Sequence, residues 1–431
     1  MLRILRFLPL LALLILAPSG VYAQVASPTI DVLYAEGTIN PVMADYIERG
    51  IGQAEEDNAT ACIIQLDTPG GLLSSTEEIV ISIMNANVPI IVYVSPKGAW
   101  AASAGVFITL SAHIAAMTPG TTIGAAHPVS AGEEEIPEEE MEKITKFAAK
   151  WLETIAEDRG RNVEEAQLAV TESKSFTDVE ALNYNLIDLR ADTLESLIWQ
   201  IDGWQITLAD GSVVTINTQG ATIKDINMSA IESFLFAITD PNIAYILLSL
   251  AILGITAEIF NPGLIFPGVF GAISGLLAFY SLGMLPVNYA GILLMVLAFG
   301  LFIAEAFTPT FGLLTAGGIT SLVIGSLILF KGGPLFQVDI GLIITVAVIF
   351  AALLAFVINR VVAAPRRQAT TGREELLGKT AVVRTALNPE GTVLHEGEIW
   401  TAVLDKGQAG PGEEVIITKY EGLKLHVTQK S

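Results

Sequence analysis

The 431-residue chain offers little material for thiol, metal or polyanion chemistry. Its one cysteine, Cys62, sits in an apolar run, so an intramolecular disulfide and any paired-cysteine metal or redox motif are excluded. Cys62 is expected to be a small core residue. The four histidines form no cluster with Cys or carboxylates at ligand spacing, so neither a metal nor another cofactor is expected. Basic residues are scarce: 23 Lys and Arg stand against 45 Asp and Glu, a formal charge of −22. A nucleic-acid partner would call for a basic patch and is not expected. Only 16% of residues are charged, whereas 52% are hydrophobic, too many for a soluble enzyme and a sign of membrane spans.

What the chain does have begins with an export pattern. Arg3 and Arg6 precede the uncharged run Phe7 to Ala17, and small residues lead up to Ala23. The run is shorter than the ~20 residues of a span, so residues 1–23 read as a signal peptide cut after Ala23. From Thr29 to about residue 190, strand-like and helix-like stretches alternate as in an α/β domain. Two of its turns stand out. The strand Ile63 to Leu66 runs into Asp67-Thr68-Pro69-Gly70-Gly71. The strand Ile90 to Val94 leads to Gly98-Ala99-Trp100-Ala101-Ala102-Ser103-Ala104-Gly105, followed by an apolar helix.

Parallel strands put such turns on the same carboxyl edge of a sheet. A serine without bulky neighbours can meet a substrate carbonyl, and the free N–H groups of a helix's first turn can support developing negative charge. Small-residue turns also serve plain helix–sheet packing, so neither turn is specific alone.

The ordered set of motifs resembles the NfeD proteins that carry an N-terminal ClpP-class serine protease domain related to signal peptide peptidase A. The matching residues are Asp67 to Gly71, Gly98 to Gly105, Ala116 to Ala125, Gly160-Arg161-Asn162, Ser175-Phe176-Thr177 and Leu186-Ile187-Asp188. One departure is Asn185, where the ClpP-class pattern has glycine; asparagine is the next-best residue for a left-handed turn. The resemblance implies a serine–lysine pair, with Ser103 as nucleophile and Lys143 as base. It implies an oxyanion hole from the backbone N–H groups of Gly71 or Gly70 and of Ala104.

By pattern alone the base is open. Lys143, Lys146 and Lys150 share one face of a helix expected from about Glu138 to Arg159, a face that water alone would also explain. The resemblance selects Lys143. A lysine base must be neutral, so it must be desolvated away from its ordinary ~10.4, whereas Glu138, Glu139, Glu140 and Glu142 favour the ammonium. His127 is the alternative base, and His113 reads as structural. Ser103 and Lys143 are expected to converge on one cleft rimmed by Gly70 and Gly71.

Residues 195 to 235 give β signals, including a hairpin at Asp210-Gly211, and read as a small extension toward the membrane. Five apolar stretches follow, at about 243–260, 264–285, 289–307, 311–330 and 340–358. They contain a repeat: Ala257-Glu258-Ile259-Phe260-Asn261-Pro262 is echoed by Ala304-Glu305-Ala306-Phe307-Thr308-Pro309. Glu258 and Glu305 read as turn-capping or interfacial carboxylates, with an ion path as the sharper alternative. Arg360, Arg366, Arg367 and Arg373 after the fifth span put that end in the cytoplasm by the positive-inside rule. The last 58 or so residues alternate strands and glycine turns as in a five-stranded OB-fold barrel without a basic face.

The expected architecture is therefore multi-domain: an α/β ClpP/crotonase-like domain (24–235), a helical transmembrane domain (240–360) and a small all-β OB-fold domain (372–431). The expected function is a membrane-anchored serine endopeptidase, exported at its N-terminal domain and homo-oligomeric. By resemblance its partners are stomatin- or flotillin-like membrane proteins. Two rivals remain open: a non-catalytic membrane scaffold, and a crotonase-type acyl-CoA enzyme on the same superfold.

Overall fold

The computed structural model describes residues 28–129, 137–260, 263, 265–308, 310, 312–331, 336–363 and 376–430. The expected signal peptide, the acidic residues Glu133 to Glu135, and Arg366, Arg367 and Arg373 lie outside them. The chain forms two compact units, one holding most residues up to Val348 and the other Ile349–Ser431 with Ala306–Pro309.

The larger unit begins with strand–helix alternation: β1 (Thr29–Glu36), α1 (Pro41–Glu56), β2 (Ala61–Asp67), α2 (Leu73–Met84) and β3 (Ile90–Val94). The catalytic-edge elements follow: β4 (Trp100–Ala101), α3 (Ala104–Ser111), β5 (Ile114–Met117) and β6 (Thr122–Gly124). Then come α4 (Glu138–Asp158), α5 (Val163–Thr171), β7 (Ser175–Thr177), α6 (Asp178–Asn183) and β8 (Leu189–Arg190). Next are α7 (Leu194–Gln200), β9 (Gln205–Thr207), β10 (Val213–Thr215), β11 (Thr222–Ile226) and α8 (Ala230–Ile238).

The main sheet has the order β11-β1-β2-β3-β5-β8, all parallel. Its β-branched strands are buried on both faces, which suits a parallel sheet covered by helices. Side-chain alternation splits the core in two. Cys62, Ile64, Leu66 and Val92 pack under α1 to α4, and Ile63, Ile91 and Tyr93 pack under α7 and the β9–β10 hairpin. Cys62 is fully buried, and burial together with nearby Asp31 pushes its thiol upward, away from reactivity.

This corrects the expectation for residues 195 to 235. They are no mere extension: Leu197, Ile201, Ile206 and Ile216 form the second layer of the core, and β11 is an edge strand paired with β1. The β periodicity there was legible, but long-range pairing decides which sheet a strand joins.

The motif residues far from Ser103 hold the frame. Arg161 is buried and donates to the carbonyls of Leu186 (3.0 Å), Leu110 and Ala112 (both 3.2 Å) and to Asp188 Oδ2 (2.7 Å). Asp188 Oδ2 also accepts the Ala115 N–H at 2.7 Å, tying β5 to the Arg161 turn. Asn185 adopts the left-handed conformation at φ +58° and donates to the Gly160 carbonyl at 3.1 Å.

The apolar helices are α9 (Pro241–Phe260), α10 (Ile265–Met284), α11 (Tyr289–Phe307), α12 (Leu313–Leu327) and α13 (Ile340–Ala363). Among the described residues, two, α9 and α10, are long and apolar enough to cross a bilayer by themselves. At 15 residues α12 spans roughly 22 Å, short of the hydrocarbon core. Within the first pair the backbones touch, since a Cβ on Gly254 would lie 2.5 Å from the Pro267 carbonyl oxygen. Glu305 caps the start of α12. It accepts N–H groups of Gly312 and Thr315 (both 3.0 Å) and the Thr310 hydroxyl (2.8 Å). In the repeat-equivalent place, the Glu258 carboxylate lies against Gly268 in the first turn of α10. The Glu305 carboxylate thus acts as a helix-start partner.

The smaller unit contains a closed five-stranded barrel, β12 (Thr380–Thr385), β13 (Glu390–His395), β14 (Glu398–Leu404), β15 (Glu414–Glu421) and β16 (Lys424–Gln429). The strand order is β12-β13-β14-β16-β15, around Val383, Val393, Ala402, Val415, Leu425 and Val427. Such a small β-barrel is consistent with the expected OB-fold.

Candidate active site

The two glycine-rich turns meet at the carboxyl edge of the sheet. A parallel bridge joins Thr68 to Ala101. The Thr68 N–H donates to the Trp100 carbonyl (2.7 Å), the Ala102 N–H to the Thr68 carbonyl (3.0 Å), and the Trp100 N–H to Asp67 Oδ1 (2.9 Å). Ser103 is thereby held at φ +50°, ψ −109°, a conformation costly for a residue with a Cβ. Its N–H is fixed by the Ala125 carbonyl at 2.7 Å, and its hydroxyl does not cap α3. Strain at the head of a helix aims the Oγ outward, as at the nucleophile elbow of other hydrolases.

Glycine is required opposite. A Cβ on Gly70 would lie 2.6 Å from Ser103 Cβ, and one on Gly71 would lie 2.0 Å from the Ile39 carbonyl oxygen. The Gly70 N–H is taken by Thr68 Oγ1 at 3.0 Å. The N–H groups of Gly71 and Ala104 have no hydrogen-bond partner among the described residues. Of the backbone donors proposed from the sequence, these two are thus free, and Gly70 serves the turn.

Ser103 opens into a cleft of about 220 Å³ whose other walls include Leu72, Leu73, Phe107, Ile144 and Phe336. Phe107 is backed by Trp151 of α4, the rings stacked 4.6 Å apart. Leu73 and Val129 line the cleft yet are 48% and 76% exposed, an apolar surface left for a bound chain.

The expected convergence of Lys143 on the cleft is not what the structure has. Ile144 faces the cleft, while Lys143 points to water and its Nζ pairs with Glu139 Oε1 at 2.9 Å. The reason is helical phase: Lys143 lies one position, about 100°, from Ile144, on the face where i, i+4 carboxylates reach it. Lys146 pairs in the same way with Glu142, and Lys150 pairs with Glu153 three residues on. His127 is engaged elsewhere: its Nδ1 is bound to the Val170 carbonyl at 2.8 Å. His113 is structural: its Nδ1 accepts the Ile90 N–H at 3.0 Å, and burial drives the imidazole down to about 3. Sequence reasoning missed Phe336, which sits in a connection between apolar stretches and carries no local signal.

The strained serine, two free N–H groups and an apolar cleft on a parallel α/β sheet define a ClpP-like serine-hydrolase class of site. Three family descriptions match the chain: the NfeD1b N-terminal domain (29–224), the NfeD integral membrane domain (242–360) and the NfeD-like C-terminal, partner-binding domain (373–429). The chain is 38% identical over 410 residues to the membrane-bound protease PH1510 of Pyrococcus horikoshii, covering 93% of each. It is 28% identical over 451 residues to the membrane protein NfeD1b of Bacillus subtilis, covering 97% of this chain and 98% of that one. A solved structure of the 1510-N membrane protease specific for a stomatin homolog from Pyrococcus horikoshii is 33% identical. That match covers 50% of this chain and all of the other, with a TM-score of 0.44. The chain belongs to the NfeD family and carries an integral membrane domain.

Proposed function

We propose that this chain is a membrane-anchored serine endopeptidase that uses Ser103 as nucleophile and Lys143 as base on apolar segments of membrane proteins. The observation that carries the reading is Ser103 itself: a strained serine beside the unpaired N–H groups of Gly71 and Ala104, in an apolar cleft. The serine Oγ attacks the peptide carbonyl and passes its proton to the base. The two N–H groups bind the oxyanion, and the leaving amine takes the proton back. Water repeats the sequence on the acyl-enzyme.

Lys143 must leave Glu139 to act. Both groups are exposed, and such ion pairs hold weakly. A substrate or a second copy of the chain lying over Leu73 and Val129 would both dry the site and draw the lysine in. The membrane-bound protease PH1510 supports the activity, and the partner-binding description of residues 373–429 supports a protein partner for the barrel, here read as stomatin- or flotillin-like from the family resemblance.

The assignment divides the chain into a leader (1–23), a protease domain (24–235), a membrane domain (240–360) and a barrel (372–431). The protease domain is exported. The leader-like residues 1–23 and the arginines after the fifth apolar stretch support this. The Lys331 N–H meets the Pro286 carbonyl (2.7 Å), and the Asp339 N–H meets Asn242 (2.8 Å). The first link ties the end of α12 to the turn before α11, and the second ties the starts of α9 and α13. The reading of five apolar stretches as crossings would put the barrel in the cytoplasm.

One observation favours the scaffold rival, namely that Lys143 faces water. A fluorophosphonate probe on the full chain in lipid discriminates. Labelling confined to Ser103, with cleavage of an apolar peptide, is expected; an inert Ser103 would sink the enzymatic reading.

A further inference from the structure

Phe336 belongs to the membrane domain, just before α13, yet its ring lines the cleft of Ser103. The same ring lines a second cavity of about 190 Å³, between the α/β domain and the membrane helices, with Asn40, Phe236 and Met284. It is only 8% exposed. Leu72 lines both cavities as well, so Phe336 and Leu72 together form the partition between them. Its surroundings are pinned from both domains. Asn40 Nδ2 donates to Thr239 Oγ1 (2.8 Å), and the Asp339 N–H donates to Asn242 Oδ1 (2.8 Å). Arg49 grips Glu232 at 2.7 and 2.8 Å. The partition is therefore built in.

We infer that Phe336 sizes an apolar subsite beside Ser103, so that the membrane domain sets which side chain the site accepts. The inference rests on the proteolytic reading. With the ring in place, the cleft takes a small or medium aliphatic side chain. Without it, only Leu72 stands between the cleft and the second cavity, and the widened cleft admits a large aromatic. A hydrophobic pocket discriminates by the volume it offers, and one methylene already changes rates 10- to 200-fold.

The test uses the full chain in lipid nanodiscs and apolar peptides that exchange valine for tryptophan, one position at a time, on either side of the cleaved bond. The wild type is expected to prefer valine at one of these positions. Phe336→Ala should move the tryptophan-to-valine ratio of kcat/KM there by about tenfold or more toward tryptophan. Phe336→Leu, which keeps the junction filled, should move it less in the same direction, and Phe336→Trp should move it the other way. An unchanged ratio would overturn the inference. So would an equal gain for every peptide together with faster probe labelling of Ser103, which would make the ring a plug. A second readout does not need turnover: benzoylphenylalanine placed at position 336 in a Ser103→Ala chain should crosslink to the peptide next to its cleavage site. If the wild type cleaves no peptide, the proteolytic reading falls. The crosslink then decides the subsite alone: an adduct keeps it, and no adduct removes it.

Discussion

Lys143 Nζ lies 2.9 Å from Glu139 Oε1, one turn back on its own helix, with the two side chains 69% and 80% exposed. This pair holds the ammonium outside the cleft that the neighbouring Ile144 lines. If Lys143 is the base, it must be released from this pair to act. Glu139→Gln should raise kcat/KM by freeing the lysine to turn toward the cleft, and higher salt, which screens the exposed pair, should act in the same direction. Glu142→Gln is the control, because Glu142 is engaged by Lys146, which holds its carboxyl below the usual range. A kcat/KM indifferent to Glu139→Gln and to salt would show that the pair does not restrain Lys143.

Ser103→Ala and Lys143→Ala should each lower peptide cleavage by roughly 10³-fold or more, and the double variant should lose no more than either. Neither change opens a core cavity, so thermal unfolding should be nearly unchanged. His127→Ala should keep activity, since its ring serves the Val170 carbonyl. The reverse pattern, active Lys143→Ala and inactive His127→Ala, transfers the base role to His127.

Gly70→Ala should silence Ser103. The new methyl would lie 2.6 Å from Ser103 Cβ and 3.2 Å from its Oγ, at a backbone φ of +119°. Gly98→Ala separates the two effects. Its φ is +93°, but nothing lies within 4 Å of the added carbon. Both variants should lose about 1–3 kcal/mol of stability from the backbone conformation, and only Gly70→Ala should also lose probe labelling. Equal labelling in the two would mean that Ser103 can move aside.

His113 gives a stability prediction with a definite sign. Burial lowers its imidazole from 6.5 to about 3, with Arg159 and Arg161 adding to the shift. The unfolded chain therefore binds more protons between those values, and His113 favours folding fully above pH ~6.5 and progressively less down to about 3. The full span is worth roughly 5 kcal/mol. Asp31 runs the other way: burial and Asp57 raise its carboxyl to about 6, against Lys224, so its contribution is lost as pH rises through that value. Urea unfolding at pH 5 and pH 8 should show His113→Gln with a smaller drop at the acid end than the wild type. An equal drop would locate the acid sensitivity elsewhere.

The sequence by itself determined whatever follows from local pattern. Buried β-branched runs such as Ile90 to Val94 can only be inner strands, and the five apolar stretches only packed or membrane helices. The turns Asp67 to Gly71 and Gly98 to Gly105 disclosed Ser103 because a strained nucleophile and a close backbone need glycine and alanine around them. The capping role of Glu305 was also legible, since it depends on residues within ten positions. Tertiary structure decided what depends on direction and on distance in space. The phase of α4 turned Ile144 to the cleft and Lys143 to water, a difference of one residue that no composition records. Parallel pairing with β1 made β11 a strand of the main sheet, 193 positions from its partner at Thr29 and Thr222. Phe336 reached Ser103 across more than two hundred residues, because packing of the membrane helices against the α/β domain, and nothing in the residues beside it, brings that ring to the cleft.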